Sequence, residues 1–171
     1  MKVANLVAEF LRDQGIKHVF CISGGASLHL IHGIADTEGI EYVCPQTEQS
    51  AGFAADSYAR LRGLGCALAT SGPGATNLVT AIAASYYDSI PVLYLTGNVT
   101  RARMSRGRVR QLGFQETPIV QMVEPITKWA HTVMHAKDVI NSLKFCLTKM
   151  NEGRPGPGLI DLPDDLQRAE I

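Results

Sequence analysis

The sequence predicts an α/β domain built on a doubly wound parallel sheet of about six strands. Three observations lead there. Short apolar runs alternate with helical patterns along most of the chain. Those runs are near-continuously apolar rather than apolar on every second residue, as strands covered on both faces require. Glycine, proline and serine clusters punctuate the joints between them. At 171 residues the chain can bury a substantial single core, and its length favours one domain over two.

Val3, Leu6, Val7, Phe10 and Leu11 recur at helical spacing, and Gly15 marks the stop. Residues 18–22 form a short apolar strand that ends at Ser23-Gly24-Gly25, after which Leu28, Leu30, Ile31 and Ile34 predict a second helix. Residues 40–44 repeat the strand, Gln46-Thr47 the loop, and residues 48–61 an alanine-rich helix with Thr47 as its N-cap. The next cycle places a strand at 66–70, a break at Ser71-Gly72-Pro73-Gly74, a helix at 75–87 and a strand at 91–96. Residues 97–113 lack apolar periodicity and read as a long irregular loop, the kind that tends to carry function. Beyond it come a short helix at 119–123, a strand at 126–130, a helix at 138–150 and a last strand at 159–162, introduced by the breaker Gly153-Arg154-Pro155-Gly156-Pro157-Gly158. The domain is expected to span residues 1–163, with 164–171 as the start of a linker or a tail.

Sixteen basic residues balance sixteen acidic ones, so no overall field draws the chain to nucleic acid or to an anionic membrane. No run approaches a membrane span, and the N-terminal pattern, interrupted by Glu9, Arg12 and Asp13, is unlike a signal peptide. Cys21, Cys44, Cys66 and Cys146 are far apart, sit in apolar runs and make no C-x-x-C pair. They read as core thiols of a reducing compartment, which sets the expectation of a cytoplasmic protein. Asn98-Val99-Thr100 is formally a glycosylation sequon and reads as a chance match.

Ligands of open α/β sheets bind beyond the carboxyl ends of the strands. Three loops there are distinctive: Ser23-Gly24-Gly25-Ala26, Pro45-Gln46-Thr47-Glu48 and Ser71-Gly72-Pro73-Gly74-Ala75-Thr76-Asn77. Glycines at helix starts suggest phosphate binding. The spacing argues against it: Asn77 stands where a dinucleotide fingerprint needs a third glycine, and no Gly-Lys-Ser/Thr follows. Taken alone, each loop is more often a tight turn, and Glu48 alone is an ordinary first-turn carboxylate that complements the helix dipole. A strand before it and Ala51, Phe53, Ala54 and Ala55 after it create a setting that would partly desolvate that carboxylate.

The run Thr47-Glu48-Gln49-Ser50-Ala51-Gly52-Phe53-Ala54-Ala55-Asp56-Ser57-Tyr58-Ala59-Arg60 resembles the glutamate helix of thiamine-diphosphate enzymes of the acetolactate-synthase type. Thr70-Ser71-Gly72-Pro73-Gly74-Ala75-Thr76-Asn77-Leu78-Val79-Thr80 resembles the stretch that follows it. Asp88-Ser89-Ile90-Pro91, Gly113-Phe114-Gln115-Glu116, Pro125-Ile126-Thr127-Lys128 and Gly153-Arg154-Pro155-Gly156-Pro157 match in the same order, so the resemblance covers nearly the whole chain.

What the resemblance implies is the N-terminal, pyrimidine-binding domain of such an enzyme. Glu48 would bond the aminopyrimidine ring nitrogen of thiamine diphosphate and favour the tautomer that deprotonates the thiazolium carbon. Gly24, Gly25 and Ala26 would lie near the cofactor's reactive region, and Ser71, Gly74 and Asn77 would shape its pocket or the neighbouring subunit contact. Gln115 would reach toward thiazolium and substrate, with Phe114 as an apolar wall. The donor substrate would be a small 2-oxo acid such as pyruvate, decarboxylated and joined to a second carbonyl. The alternatives are a 2-oxo-acid decarboxylase subunit, or a non-catalytic structural or regulatory binding domain.

No Gly-Asp pair occurs in the sequence, whereas the family anchors diphosphate and Mg2+ through a Gly-Asp-Gly motif on a separate domain. The chain is therefore expected to hold no metal itself, and to work as a homodimer or with a diphosphate-binding domain or subunit. FAD, bound by some relatives, would mostly contact a middle domain outside this chain. Two positions depart from the usual family pattern: Ser23 replaces a proline and Thr47 a histidine. The loop before Gln115 carries Arg101, Arg103, Arg106, Arg108 and Arg110, and it resembles a branch linked to cell-surface polysaccharide and nucleotide-sugar pathways. A solvated loop is the plain reading of these arginines, and bidentate grip on an anionic acceptor the sharper one.

Overall fold

A computed structural model describes residues 1–105 and 107–171. Six strands, β1 (His18–Cys21), β2 (Glu41–Val43), β3 (Gly65–Ala69), β4 (Val92–Asn98), β5 (Trp129–Thr132) and β6 (Gly158–Pro163), form one sheet in the order β2-β1-β3-β4-β6-β5. Every neighbouring pair is parallel. Parallel strands need crossovers, and the helices supply them: α1 (Val3–Asp13), α2 (Leu28–Ala35), α3 (Glu48–Arg62), α4 (Pro73–Asn77), α5 (Val79–Asp88), α6 (Ile119–Val123), α7 (Val139–Asn151) and α8 (Asp164–Gln167). The sheet is thus the doubly wound, six-stranded architecture that the apolar runs imply.

On one face, Val7, Leu11, Leu30, Ile34, Leu143 and Met150 of α1, α2 and α7 close over Val19, Leu68, Leu95 and Ile160. On the other, α3, α4, α5 and α6 cover Ala67, Ala69, Tyr94 and Leu159 through Ala55, Ala59, Ala75, Leu78, Ile82 and Val123. This second face is made largely of small residues. A Cβ at Gly65 would lie 2.0 Å from the Ala55 carbonyl oxygen, and one at Gly52 would lie 2.5 Å from Ala81 Cβ. Helix α3 therefore rests almost backbone to backbone on β3. Asp56, buried in its middle, accepts hydrogen bonds from Arg60 Nε and Ser85 Oγ, both at 2.7 Å, and Ser85 Oγ lies 3.0 Å from Tyr94 Oη. One carboxylate so links α3 to α5 and to the strand beneath.

The structure differs from the sequence reading at four places. The expected strand at 126–130 starts instead at Trp129, because Glu124–Ile126 form a 3-10 turn opened by proline and closed by Thr127 Oγ1 donating to the Val123 carbonyl at 3.0 Å. The expected helix at 75–87 divides at Leu78, whose N–H donates three residues back to Ala75 (3.1 Å). Cys44, expected in the core, is exposed where β2 ends, while Cys21, Cys66 and Cys146 are buried. Residues 164–171, expected as linker or tail, begin with α8, which buries Leu166 and Gln167 completely. Lys2 and Glu170 make an antiparallel bridge, and Val3 N–H donates to the Ala169 carbonyl at 2.9 Å.

The carboxyl ends of three strands are latched by Asp161. It sits in register with Thr96 on β4 and Thr132 on β5 and accepts from Thr96 Oγ1 (2.8 Å), Thr132 Oγ1 (2.9 Å) and Asn98 Nδ2 (2.6 Å). Asn98 is itself buried with its amide engaged, so the sequon it heads is closed to a glycan. Burial pushes the Asp161 carboxyl above its ordinary range, and the three donors pull it back only in part. Asp161→Ala leaves those donors without an acceptor. It is expected to destabilise the fold by on the order of 3 kcal/mol, read as a lowered urea midpoint at unchanged slope.

Candidate functional site

After β1 the chain turns to α2 on one face, and after β3 it turns to α4 on the other. The two connections diverge from the carboxyl ends of adjacent strands, which marks the switch point where open α/β sheets place their ligand crevice. The loops touch at its floor. A Cβ at Gly24 would lie 2.4 Å from Thr70 Cβ, and Ala26 N–H donates to Thr70 Oγ1 at 3.1 Å. The Ala26 carbonyl is held from behind, accepting from Gln167 Nε2 at 2.6 Å, and a Cβ at Gly97 would lie 1.9 Å from the same oxygen. Gln167 is wholly buried and also donates to the Leu162 carbonyl at 2.8 Å. Around Gly25, by contrast, a Cβ would meet nothing within 4 Å.

Glu48 opens α3 on the opposite wall. Thr47 caps the helix as its side chain predicts, Oγ1 accepting from Ser50 N–H at 3.1 Å. The half-buried Glu48 carboxylate receives Asn77 Nδ2 on Oε2 at 2.9 Å. Its other oxygen faces Gly74, where a Cβ would lie 3.4 Å from Oε1 and 2.8 Å from Thr70 Cγ2. Ser71 is buried beside this turn. Glu48, Gly74, Asn77, Gly24 and Ala26 thus form one cluster around Thr70. The geometry leaves one carboxylate oxygen pinned and the other free over a glycine, an arrangement suited to a flat ligand that offers a ring nitrogen.

Gln115 joins the cluster by a different contact. Its backbone has φ +60, in the left-handed region, and lies against Gly72, itself at φ +61. A Cβ at Gly72 would come within 2.7 Å of the Gln115 carbonyl oxygen and 2.8 Å of its Cβ. A non-glycine residue at positive φ costs about 1–3 kcal/mol and concentrates at functional sites. Phe114 is not brought in: its side chain is 82% exposed. Among the described residues, no group of three or more His, Cys, Asp or Glu converges to hold a metal ion, and no helix is long and apolar enough to cross a membrane.

The arginine loop is organised from within. Glu116 accepts from Ser105 N–H (2.6 Å), Ser105 Oγ (2.8 Å) and Leu112 N–H (2.9 Å), drawing the two ends of the loop together. Arg101 is committed to structure, bonding Asp165 Oδ2 at 2.8 Å and the Met134 carbonyl at 2.7 Å. Arg108 lines a cavity of about 350 Å³ with Met104 and Leu112. Arg110 lines a neighbouring one of about 450 Å³ with Asn98, His131 and Asp161. Arg103 is exposed, and Arg106 lies outside the described residues.

Thr70, Gly97 and Gln167 are the site residues that sequence reasoning missed. Thr70 stands in a motif that gives it no role of its own, although its place at the end of an apolar strand is a usable signal. Gln167 carried no signal at all, lying in a stretch read as tail.

Partial burial raises the Glu116 carboxyl, but the Leu112 and Ser105 amides and the Ser105 hydroxyl outweigh it and hold it below the usual carboxylate range. A folded value below the unfolded one contributes stability that is present above the ordinary carboxylate pH and lost as pH falls through the lowered value. The Ser105 and Leu112 amides are therefore expected to resist hydrogen exchange at neutral pH and to lose that protection as pH falls through the lowered value. In Glu116→Gln this pH dependence should vanish, a result that amide exchange followed by NMR reads directly.

The family model described as "Thiamine pyrophosphate enzyme, N-terminal TPP binding domain" matches residues 1–122. The chain is 40% identical over 168 residues to the chloroplastic acetolactate synthase of Arabidopsis thaliana, covering 98% of this chain and 24% of that protein. It is 39% identical over 171 residues to acetolactate synthase 2, chloroplastic, of Nicotiana tabacum, covering 99% and 25%. To the acetolactate synthase large subunit of Haemophilus influenzae it is 38% identical over 163 residues, covering 95% and 28%. The chain spans about a quarter of the length of the curated relatives it matches. Carrying the crevice and the loops described above, it belongs to the thiamine pyrophosphate enzyme family as an N-terminal TPP-binding domain.

Proposed function

We propose that the chain is the pyrimidine-binding half of an acetolactate-synthase-like enzyme that takes pyruvate or a similar 2-oxo acid as donor and joins it to a second carbonyl. The observation that carries this reading is the setting of Glu48, with one oxygen fixed by Asn77 and the other facing Gly74 in the crevice. These residues fit the aminopyrimidine of thiamine diphosphate, which needs a carboxylate beside a ring nitrogen and backbone close enough to lie along the ring. Bound there, the cofactor supplies an acidic carbon and an electron sink for 2-oxo-acid cleavage.

The chain's own residues orient and move protons. Glu48 would exchange a proton with the pyrimidine nitrogen, and Asn77, bonded to its Oε2, sets the rotation of the carboxylate. Gly24, Gly25 and Ala26 admit the cofactor's reactive region, their loop held in place by Thr70 and Gln167. Ser71 and Gly72 carry the turn against which Gln115 is braced, and Gln115 presents its amide to the reacting carbonyl. Phe114 becomes an apolar wall only when a second body covers it, which supports a homodimer or a diphosphate-binding domain that also brings Mg2+. The thiols Cys21, Cys66 and Cys146, buried and free of disulfides, support a reducing cytoplasmic setting.

An anionic acceptor, such as a nucleotide-sugar ketone, is the finer reading. It is supported by Arg108 and Arg110 lining adjacent cavities while Arg101 is already engaged.

With the protein assembled on its diphosphate-binding partner, Glu48→Gln should lower pyruvate consumption about 10²–10⁴-fold and leave the unfolding midpoint within the range of an ordinary surface change. Full activity in that variant overturns the role of Glu48. Arg108→Ala should raise KM for an anionic acceptor about tenfold while KM for pyruvate stays put. An unchanged acceptor KM would remove Arg108 from that role.

A further inference from the structure

Strands β1 and β2 run parallel with His18, Val19 and Phe20 opposite Glu41, Tyr42 and Val43. One further step along that register sets Cys21 opposite Cys44. Adjacent strands lie roughly 4.8 Å apart, within the span of about 4.4–6.8 Å between Cα atoms that a disulfide bridges. Residues paired in register point to the same face, so the Cys21 and Cys44 side chains project together from the adjacent strand ends. The two differ sharply in access: Cys44 is exposed and Cys21 has none. Cys66 lies on the next strand with its side chain fully enclosed, out of reach of any reagent that meets Cys44.

We propose that Cys21 and Cys44 form a dithiol that a peroxide converts reversibly to a disulfide across the ends of β1 and β2, a modification site beside the Glu48 crevice. The exposed Cys44 reacts first. As thiolate it attacks one peroxide oxygen, forming the S–O bond of a sulfenic acid as the O–O bond breaks, and the departing hydroxide takes up the proton that Cys44 released. The Cys21 sulfur then attacks the Cys44 sulfur and its proton leaves with the displaced hydroxyl as water. Two thiols and one hydrogen peroxide give one disulfide and two waters. Burial, followed by the neighbouring Cys44, pushes the Cys21 thiol up to about 12. At neutral pH Cys21 is thus held as the thiol and shielded from solvent oxidants, so only the sulfenic acid on the adjacent Cys44 engages it, the displaced hydroxyl taking up the Cys21 proton as that sulfur attacks. Cys21 lies three residues before Gly24 and Cys44 four before Glu48, so the bond ties together the two strand ends that launch those loops.

The test treats the reduced, intact protein with hydrogen peroxide, alkylates the remaining thiols in denaturant and maps the digest by mass spectrometry. The four free thiols should fall to two, with a peptide linking Cys21 to Cys44 that dithiothreitol separates. In Cys44→Ser, an exposed substitution that leaves the core intact, no link should form and Cys21 should alkylate fully. The proposal is overturned if Cys44 ends as sulfinic or sulfonic acid beside a free Cys21. It is equally overturned if Cys44 links only between two copies, if both thiols survive the treatment, or if the link forms only in denatured protein. None of these outcomes depends on the reaction the enzyme performs.

Discussion

The site depends on how closely α3 approaches the sheet. Gly65 lets the Ala55 carbonyl come within a distance that any Cβ would forbid, and Gly52 lets α5 approach just as closely through Ala81. With so little side chain between helix and strand, α3 has almost no freedom to roll or slide, because close-packed interiors resist even a methyl of displacement. Asp56 then fixes the remaining rotation through Ser85 on α5. Glu48 is the first residue of this helix, so its carboxylate inherits the rigidity of a seam that lies wholly outside the crevice.

The carboxyl ends of the strands are governed by two acids in opposite electrostatic settings. Asp161 is enclosed and meets only neutral side-chain donors, so its charge is poorly compensated and its carboxyl is raised. Glu116 is more open and gathers backbone N–H groups, which stabilise the charged form and lower it. One holds β4, β6 and β5 in register, the other gathers the long loop above them. Both leave the crevice itself to Glu48.

Much of this was legible in the sequence because the physics is local. Apolar runs of strand length separated by helical periodicity could pack only as a sheet covered on both faces. Thr47 before an alanine-rich run predicted its own cap, and ordered motifs pointed to Glu48. The parts that escaped depend on contacts between distant segments. Thr70 became the hub only when β1 and β3 were seen to be neighbours, and Gln167 supports Ala26 across 141 positions of chain. Cys44 looked like a core thiol because its neighbours are apolar, yet it falls where an edge strand ends and solvent begins. The start of β5 was misjudged because a proline turn intervened in an apolar stretch.

Gly72 and Gln115 press against each other while both hold positive φ. Each conformation is tolerated only because the other leaves room for it. A side chain at position 72 would displace the Gln115 backbone, and a residue at 115 that relaxed to ordinary φ would withdraw the surface on which the Gly72 turn rests. The two positions are therefore epistatic: single changes at either should be purged, whereas paired changes could survive.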